Sequence, residues 1–113
     1  MKKINILKKN NDFFRIISKH KFYRTFSYII YIEKKEQENC HFGISVSKKI
    51  GNAVVRNKIK RQIKSMIDKN KYKSYYNIVI IVRKNYLKNN FIDNEKILFD
   101  VFNNFKIIYN EEE

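Results

Sequence analysis

Proline is absent from this 113-residue chain, glycine occurs only at Gly43 and Gly51, and the sole cysteine is Cys40. Without a Pro- or Gly-rich linker or an internal repeat, the chain reads as one domain spanning 1–113, with a basic arm at 1–10 and an acidic tail at 111–113. The unpaired Cys40 excludes a disulfide scaffold and leaves a cysteine-based metal site without a second thiol, so no metal site is expected. Long apolar runs are missing too. Tyr28–Ile32 and Ile78–Val82 have five residues each, against the roughly 20 needed to span a bilayer. Met1–Asn10 is basic but lacks the apolar stretch of a signal peptide, so a reducing cytoplasm is the expected compartment. Acid is scarce: 11 Asp+Glu face 25 Lys+Arg, a formal net charge of +14.

What is present argues for a folded, polyanion-facing protein. Apolar residues make up 43% and aromatics 15%, too much for a disordered tail. Charge of this density is tolerated when a polyanion neutralises it; nucleic acid is the first candidate and an anionic membrane surface the second. The richness in Lys, Asn and Ile also fits an AT-rich coding sequence, so placement must decide. From Asn39 to Ile67 there is no acid, yet Lys48, Lys49, Arg56, Lys58, Lys60, Arg61 and Lys64 all lie there.

The apolar pattern predicts six elements. Asp12 caps a short helix through about Lys19, with Phe13, Ile16 and Ile17 on one face. Strands follow at 26–33 and 41–47, separated by a polar stretch at 34–40 with the composition of a hairpin loop. Asn52 caps a helix over 53–68, where Val55, Ile59, Ile63, Met66 and Ile67 recur at helical spacing. A third strand near 75–83 is apolar enough for burial on both faces. A loop at 84–92 leads to a last helix, capped by Asp93 or Asn90, with Ile97, Leu98, Val101, Phe102 and Phe105 as its apolar face. The class is an α+β sandwich in the order helix, strand, strand, helix, strand, helix; periodicity leaves the strand order open.

The helix at 53–68 carries the chemistry. At 100° per residue, Arg56, Lys60 and Lys64 form a line beside the apolar sector, and Asn57 and Arg61 form the next line round. Repeating donors match the repeating anions of a phosphate backbone, Arg bidentately and Lys as a point charge. No acid occupies the first turn, where the helix dipole would favour one, so that end is left to an external anion.

The stretch 42–64, FGISVSKKIGNAVVRNKIKRQIK, resembles the protein subunit of bacterial ribonuclease P. That family carries a strand ending in S-V-S/G-K-K/R, a G-N-A-V turn and then R-N-x-x-K-R-x-x-R. Arg56, Asn57, Lys60 and Arg61 fill the motif; Lys64 replaces the more usual Arg, keeping the charge and losing the planar fork. Leu7–Asn10 with Asp12-Phe13, and Ile78–Lys84, resemble the family's opening and third strand.

The resemblance implies an α+β sandwich with a left-handed βαβ crossover. It implies binding of the catalytic RNA through Lys48, Lys49, Asn52, Arg56, Asn57, Lys60, Arg61 and Lys64. It further implies that the single-stranded 5′ leader of precursor tRNA lies in a cleft between the first helix and the sheet. Phe13, Ile17, Ile29 and Tyr31 match cleft positions, with Ile17 standing where a second aromatic is common. Ile29 and Tyr31 share one strand face, and Tyr28, Ile30 and Ile32 the other. Arg15 and Arg24 are further candidate backbone contacts. The protein is expected to act as a monomer in the complex. The RNA performs the cleavage with Mg2+ held mainly by RNA phosphates, and no catalytic residue is expected in this chain.

Three other readings compete. A ribosomal or other structural RNA-binding protein fits size and charge equally well, and only the 42–64 motif argues against it. A stand-alone nuclease needs a catalytic cluster, and neither His20 nor His41 has a carboxylate or Cys pattern around it. A membrane-surface protein needs a bulky apolar insertion face, which the basic helix lacks.

Overall fold

The computed structural model describes residues 15–18, 21–34, 41–70 and 76–107. The basic arm, Asp12, Phe13 and the acidic tail lie outside the described residues. The elements run α1 (15–18), β1 (Phe22–Arg24), β2 (Tyr28–Lys34), β3 (His41–Ser45), α2 (Ala53–Asp68), β4 (Tyr76–Val82), a 3-10 helix (Lys84–Lys88) and α3 (Phe91–Asn104). The mixed α+β class holds.

The four strands form one sheet in the order β1-β2-β4-β3. β2 runs antiparallel to both β1 and β4, whereas β3 runs parallel to β4. The stretch at 34–40 is therefore no hairpin: β4 sits between the strands it joins. Its polarity matches any exposed connection, and the competing pairing was encoded far away, in β4. Ile78, Val79 and Ile80 are fully buried, and a strand apolar on both faces is favoured at the sheet centre.

Two layers cover the sheet. On one face Tyr28, Ile30, Phe42, Ile78, Ile80 and Val82 meet Ile59, Ile63, Met66 and Ile67 of α2 and Leu98, Val101 and Phe102 of α3. On the other face Ile16 packs on Tyr31 and Val79, flanked by Ile17, Ile29 and Ile81. Alternation along β2 thus separates Ile29 and Tyr31 from Tyr28, Ile30 and Ile32, as the pleat requires.

The helix ends follow local chemistry. Asn52 Oδ1 accepts the Val55 N–H at 3.0 Å, and Asn90 Oδ1 accepts that of Asp93 at 2.8 Å, settling the second cap in favour of Asn90. α3 ends with Lys106 in the left-handed region at φ 55°. The Lys106 N–H donates to Asn103 O and the Ile107 N–H to Phe102 O, each at 3.0 Å, while the Ile107 side chain is buried.

Three further expectations change. Strand β1 is additional: three exposed residues give no apolar alternation to read, and pairing with β2 creates the strand. The strand expected at 26–33 starts only at Tyr28, because Ser27 turns inward to donate its hydroxyl to Asn94 Oδ1 at 2.5 Å. The loop at 84–92 is mostly the 3-10 helix, fixed by buried Tyr86, whose hydroxyl donates to Gln62 Oε1 at 2.8 Å.

Candidate nucleic-acid interface

α2 presents the cationic residues in graded fashion. Asn57, Lys58, Arg61 and Lys64 are exposed, while Arg56 and Lys60 are half-buried beside the apolar sector. The Arg56 Nε–H donates to Gly51 O at 3.2 Å, which orients the guanidinium against the turn that precedes the helix. The chain enters close to the first helical turn: a Cβ on Gly51 would stand 3.0 Å from Val55 Cβ and Cγ1, so any larger residue there would push Val55 aside.

Lys48 and Lys49 sit at the tip of the turn closed by the Ile50 N–H to Ser47 O bond at 3.1 Å. Buried Val46 and Ile50 anchor its two sides, so both lysines face solvent. Asn52 is exposed, but its carbonyl oxygen is committed to the cap. The structure thus brings the eight candidate RNA-contact residues into one continuous stretch from the tip of this turn along α2. The first turn of α2 contains no acid.

The cleft positions lie on the opposite face of the sheet from α2. Ile29 and Tyr31 stand in β2 opposite Ile81 and Val79 of β4, with half-buried Ile17 packed against the cluster. Phe13 lies outside the described residues. Tyr31 is 9% exposed, so it is more wall than open platform.

One end of this face is polar. Both guanidinium arms of Arg15 bond the Glu33 carboxylate, one of them at 3.0 Å, and Asn77 Nδ2 donates to Glu33 Oε1 at 2.9 Å. Arg15 is thus paired with a buried carboxylate, which holds its guanidinium at this end of the face. Among the described residues, no three His, Cys, Asp or Glu side chains come together in a way that would hold a metal ion.

Two further polar side chains hold the fold. Arg83, in the stretch resembling the family's third strand, donates to Thr25 O at 2.6 Å and ties the β1–β2 turn to the end of β4. Tyr28 donates its hydroxyl to Asn94 O at 3.0 Å; burial, and then the nearby Tyr86 and Glu95, push its ionisation up. Burial also pushes the Tyr86 phenol up to about 12. Neither phenol is placed for acid–base chemistry.

Fold and site together define a small α+β protein with a cationic helix that carries no acid before its last residue on one sheet face and an aromatic-aliphatic layer on the other. The family model described as Ribonuclease P matches residues 1–106. A ribonuclease P protein component from Mesoplasma florum is 48% identical over 101 residues, covering 87% of this chain and 92% of its own. One from Bacillus cereus is 42% identical over 105 residues, covering 90% and 91%. The solved Staphylococcus aureus RNase P protein superposes with a TM-score of 0.81 at 33% identity, covering 95% of this chain and all of its own. The RNase P protein of Thermotoga maritima shares the fold with a TM-score of 0.76 at 24% identity. The chain belongs to the ribonuclease P protein component family. That membership supports a subunit role in that ribonuclease.

Proposed function

We propose that this chain binds the catalytic RNA of ribonuclease P along α2 and the preceding turn, and the 5′ leader of precursor tRNA on the opposite face of the sheet. The observation that carries the reading is the acid-free run of exposed and half-exposed donors on α2, from Arg56 to Lys64. Repeating phosphates need such a ladder, and an ordinary solvated helix face would mix both signs of charge. The leader is a single strand, so its bases are available to stack or pack on the Ile17, Ile29 and Tyr31 layer. Two partners on two faces let one small protein bridge them.

The division of labour follows. The RNA performs endonucleolytic removal of the leader, using Mg2+ held mainly by its own phosphates, to leave the mature tRNA 5′ end. This chain raises substrate affinity by holding the leader and lowers the magnesium demand by adding cations to the assembly. It works as a monomer within the complex, in the cytoplasm. Among the described residues no helix is long and apolar enough to cross a membrane.

The test is a cleavage assay at low magnesium, combining purified protein, refolded ribonuclease P RNA from the same organism and a precursor tRNA with a 5′ leader. Stimulated cleavage at the mature 5′ end, with protein alone inactive, is expected. No stimulation by folded protein would return the chain to a structural RNA-binding role.

A further inference from the structure

Strand β1 adds a feature that the cleft positions leave out. Phe22 stands directly opposite Tyr31 in the β1–β2 register, so both rings rise from the same sheet face. Their centroids are 5.9 Å apart with the planes tilted by 56°. Tyr31 is nearly buried, whereas Phe22 is 50% exposed. Arg24, two residues on and therefore on the same face, holds its guanidinium carbon 5.8 Å from the Phe22 ring centroid. An exposed phenyl ring braced on one side by a tyrosine and accompanied by an arginine is poor as core and well suited to a planar, anionic ligand.

Charge points the same way. Between Asp12 and Glu33 the chain has no acid, and beyond Arg15, which Glu33 engages, Lys19, Lys21 and Arg24 add positive charge. Glu33, the next residue on that face of β2 after Tyr31, is paired with Arg15. Among the described residues of the candidate cleft, Tyr31 stands among the aliphatics Ile17 and Ile29. Edge strand β1 adds a ring beside it.

We infer that Phe22 and Arg24 form an additional stacking step for one unpaired base of the leader, just outside the Ile17–Ile29–Tyr31 layer and continuous with it. The base lies on the open side of the Phe22 ring, and Arg24 meets the adjoining phosphate. The inference rests on the leader-binding reading and extends it by one nucleotide and two named residues.

The experiment uses the holoenzyme reconstituted with ribonuclease P RNA. Affinity is measured for a precursor tRNA with a leader and for the same tRNA without one. Phe22→Leu should weaken binding of the leader-bearing substrate by about 5- to 10-fold and leave the leaderless tRNA unchanged. Phe22→Trp should restore it. In an abasic scan of the leader, one position should cost the unsubstituted protein a similar factor and cost Phe22→Leu nothing more. Arg24→Gln should lower the salt slope for the leader-bearing substrate alone. If the unsubstituted protein prefers the leader but Phe22→Leu matches it, or loses both substrates equally, this inference is overturned and the cleft survives. If the unsubstituted protein shows no preference for the leader, both fall.

Discussion

Arg15 reaches from α1 to grip the buried carboxylate of Glu33 on β2 with both arms of its guanidinium. The Glu33 side chain is 9% exposed and that of Arg15 is 38% exposed, and Asn77 Nδ2 gives the carboxylate a further donor. The pair ties the described part of α1 to the sheet on the face that carries the candidate cleft positions. Removing the arginine strands a buried charge, whereas removing both charges does not. Arg15→Ala should therefore destabilise the protein by about 1–3 kcal/mol. The Arg15→Ala/Glu33→Gln double variant should recover part of that loss, as read from urea unfolding midpoints at constant slope. A double variant less stable than Arg15→Ala would show that the carboxylate is satisfied without the arginine.

The basic helix makes an electrostatic prediction. Exposed Arg61 and Lys64 touch no described acid in an ion pair, so neutralising either should leave folding stability within about 0.5 kcal/mol. Each should nonetheless lower the salt dependence of catalytic-RNA binding by about one unit per lost phosphate contact. Arg56→Ala should weaken RNA binding too, and also loosen the Gly51 turn through the lost bond to Gly51 O. Filter-binding isotherms across a salt series separate these effects, and an unchanged slope for the Arg56→Ala/Arg61→Ala double variant would count against the proposed interface.

Asn94 is a buried polar residue that joins three elements. It accepts the Ser27 hydroxyl, donates through Nδ2 to Tyr86 O at 3.0 Å, and its own carbonyl receives the Tyr28 hydroxyl. Asn94→Leu would leave Ser27 and Tyr86 O without these partners in a dry interior. A loss of about 2–4 kcal/mol is expected by chemical denaturation. Asn94→Asp should be no better, because it replaces the Nδ2 donor by an acceptor facing a carbonyl.

Lys106 occupies a left-handed backbone position that glycine tolerates without cost. The hydrogen bonds that end α3 need only the backbone there. Lys106→Gly should raise stability by about 0.5–1 kcal/mol, offset in part by the greater freedom of glycine in the unfolded chain. Thermal melts that fall instead would place the lysine side chain in a contact worth more than the strain.

Alkaline pH should unfold the protein through its phenols. Tyr86 is pushed up to about 12 by burial, and Tyr28 is raised further. A folded-state value above the unfolded value near 10 means the folded chain retains protons that the unfolded chain releases. The stabilising contribution is complete below pH 10 and declines as pH rises through about 12. Tyr86→Phe should flatten that decline in a pH series of unfolding free energies, while losing the bond to Gln62.

Some of this was written in residue order and some was not. The 53–68 helix matched to the residue, because its apolar spacing, its Asn52 cap and its hydrogen bonds are all local. The central strand was legible as buried on both faces because an unbroken apolar run has no polar face to expose. The two faces of β2 followed from alternation alone. The contact residues of α2 and its turn were legible because charge pattern and motif occupy one contiguous stretch.

Strand order was settled only by tertiary structure. No local signal says that β4 will insert between β2 and β3, since pairing depends on residues more than thirty positions apart. The same holds for Phe22, whose place beside Tyr31 exists only once β1 docks on β2, and for Arg15, whose charge reads as a phosphate contact until Glu33 is folded beneath it. By itself the sequence determined the longer elements, their buried faces and the cationic helix, because periodicity and charge act over a few residues. The tertiary structure alone decided which side chains from distant segments share a face, because that depends on the packing of the whole sheet.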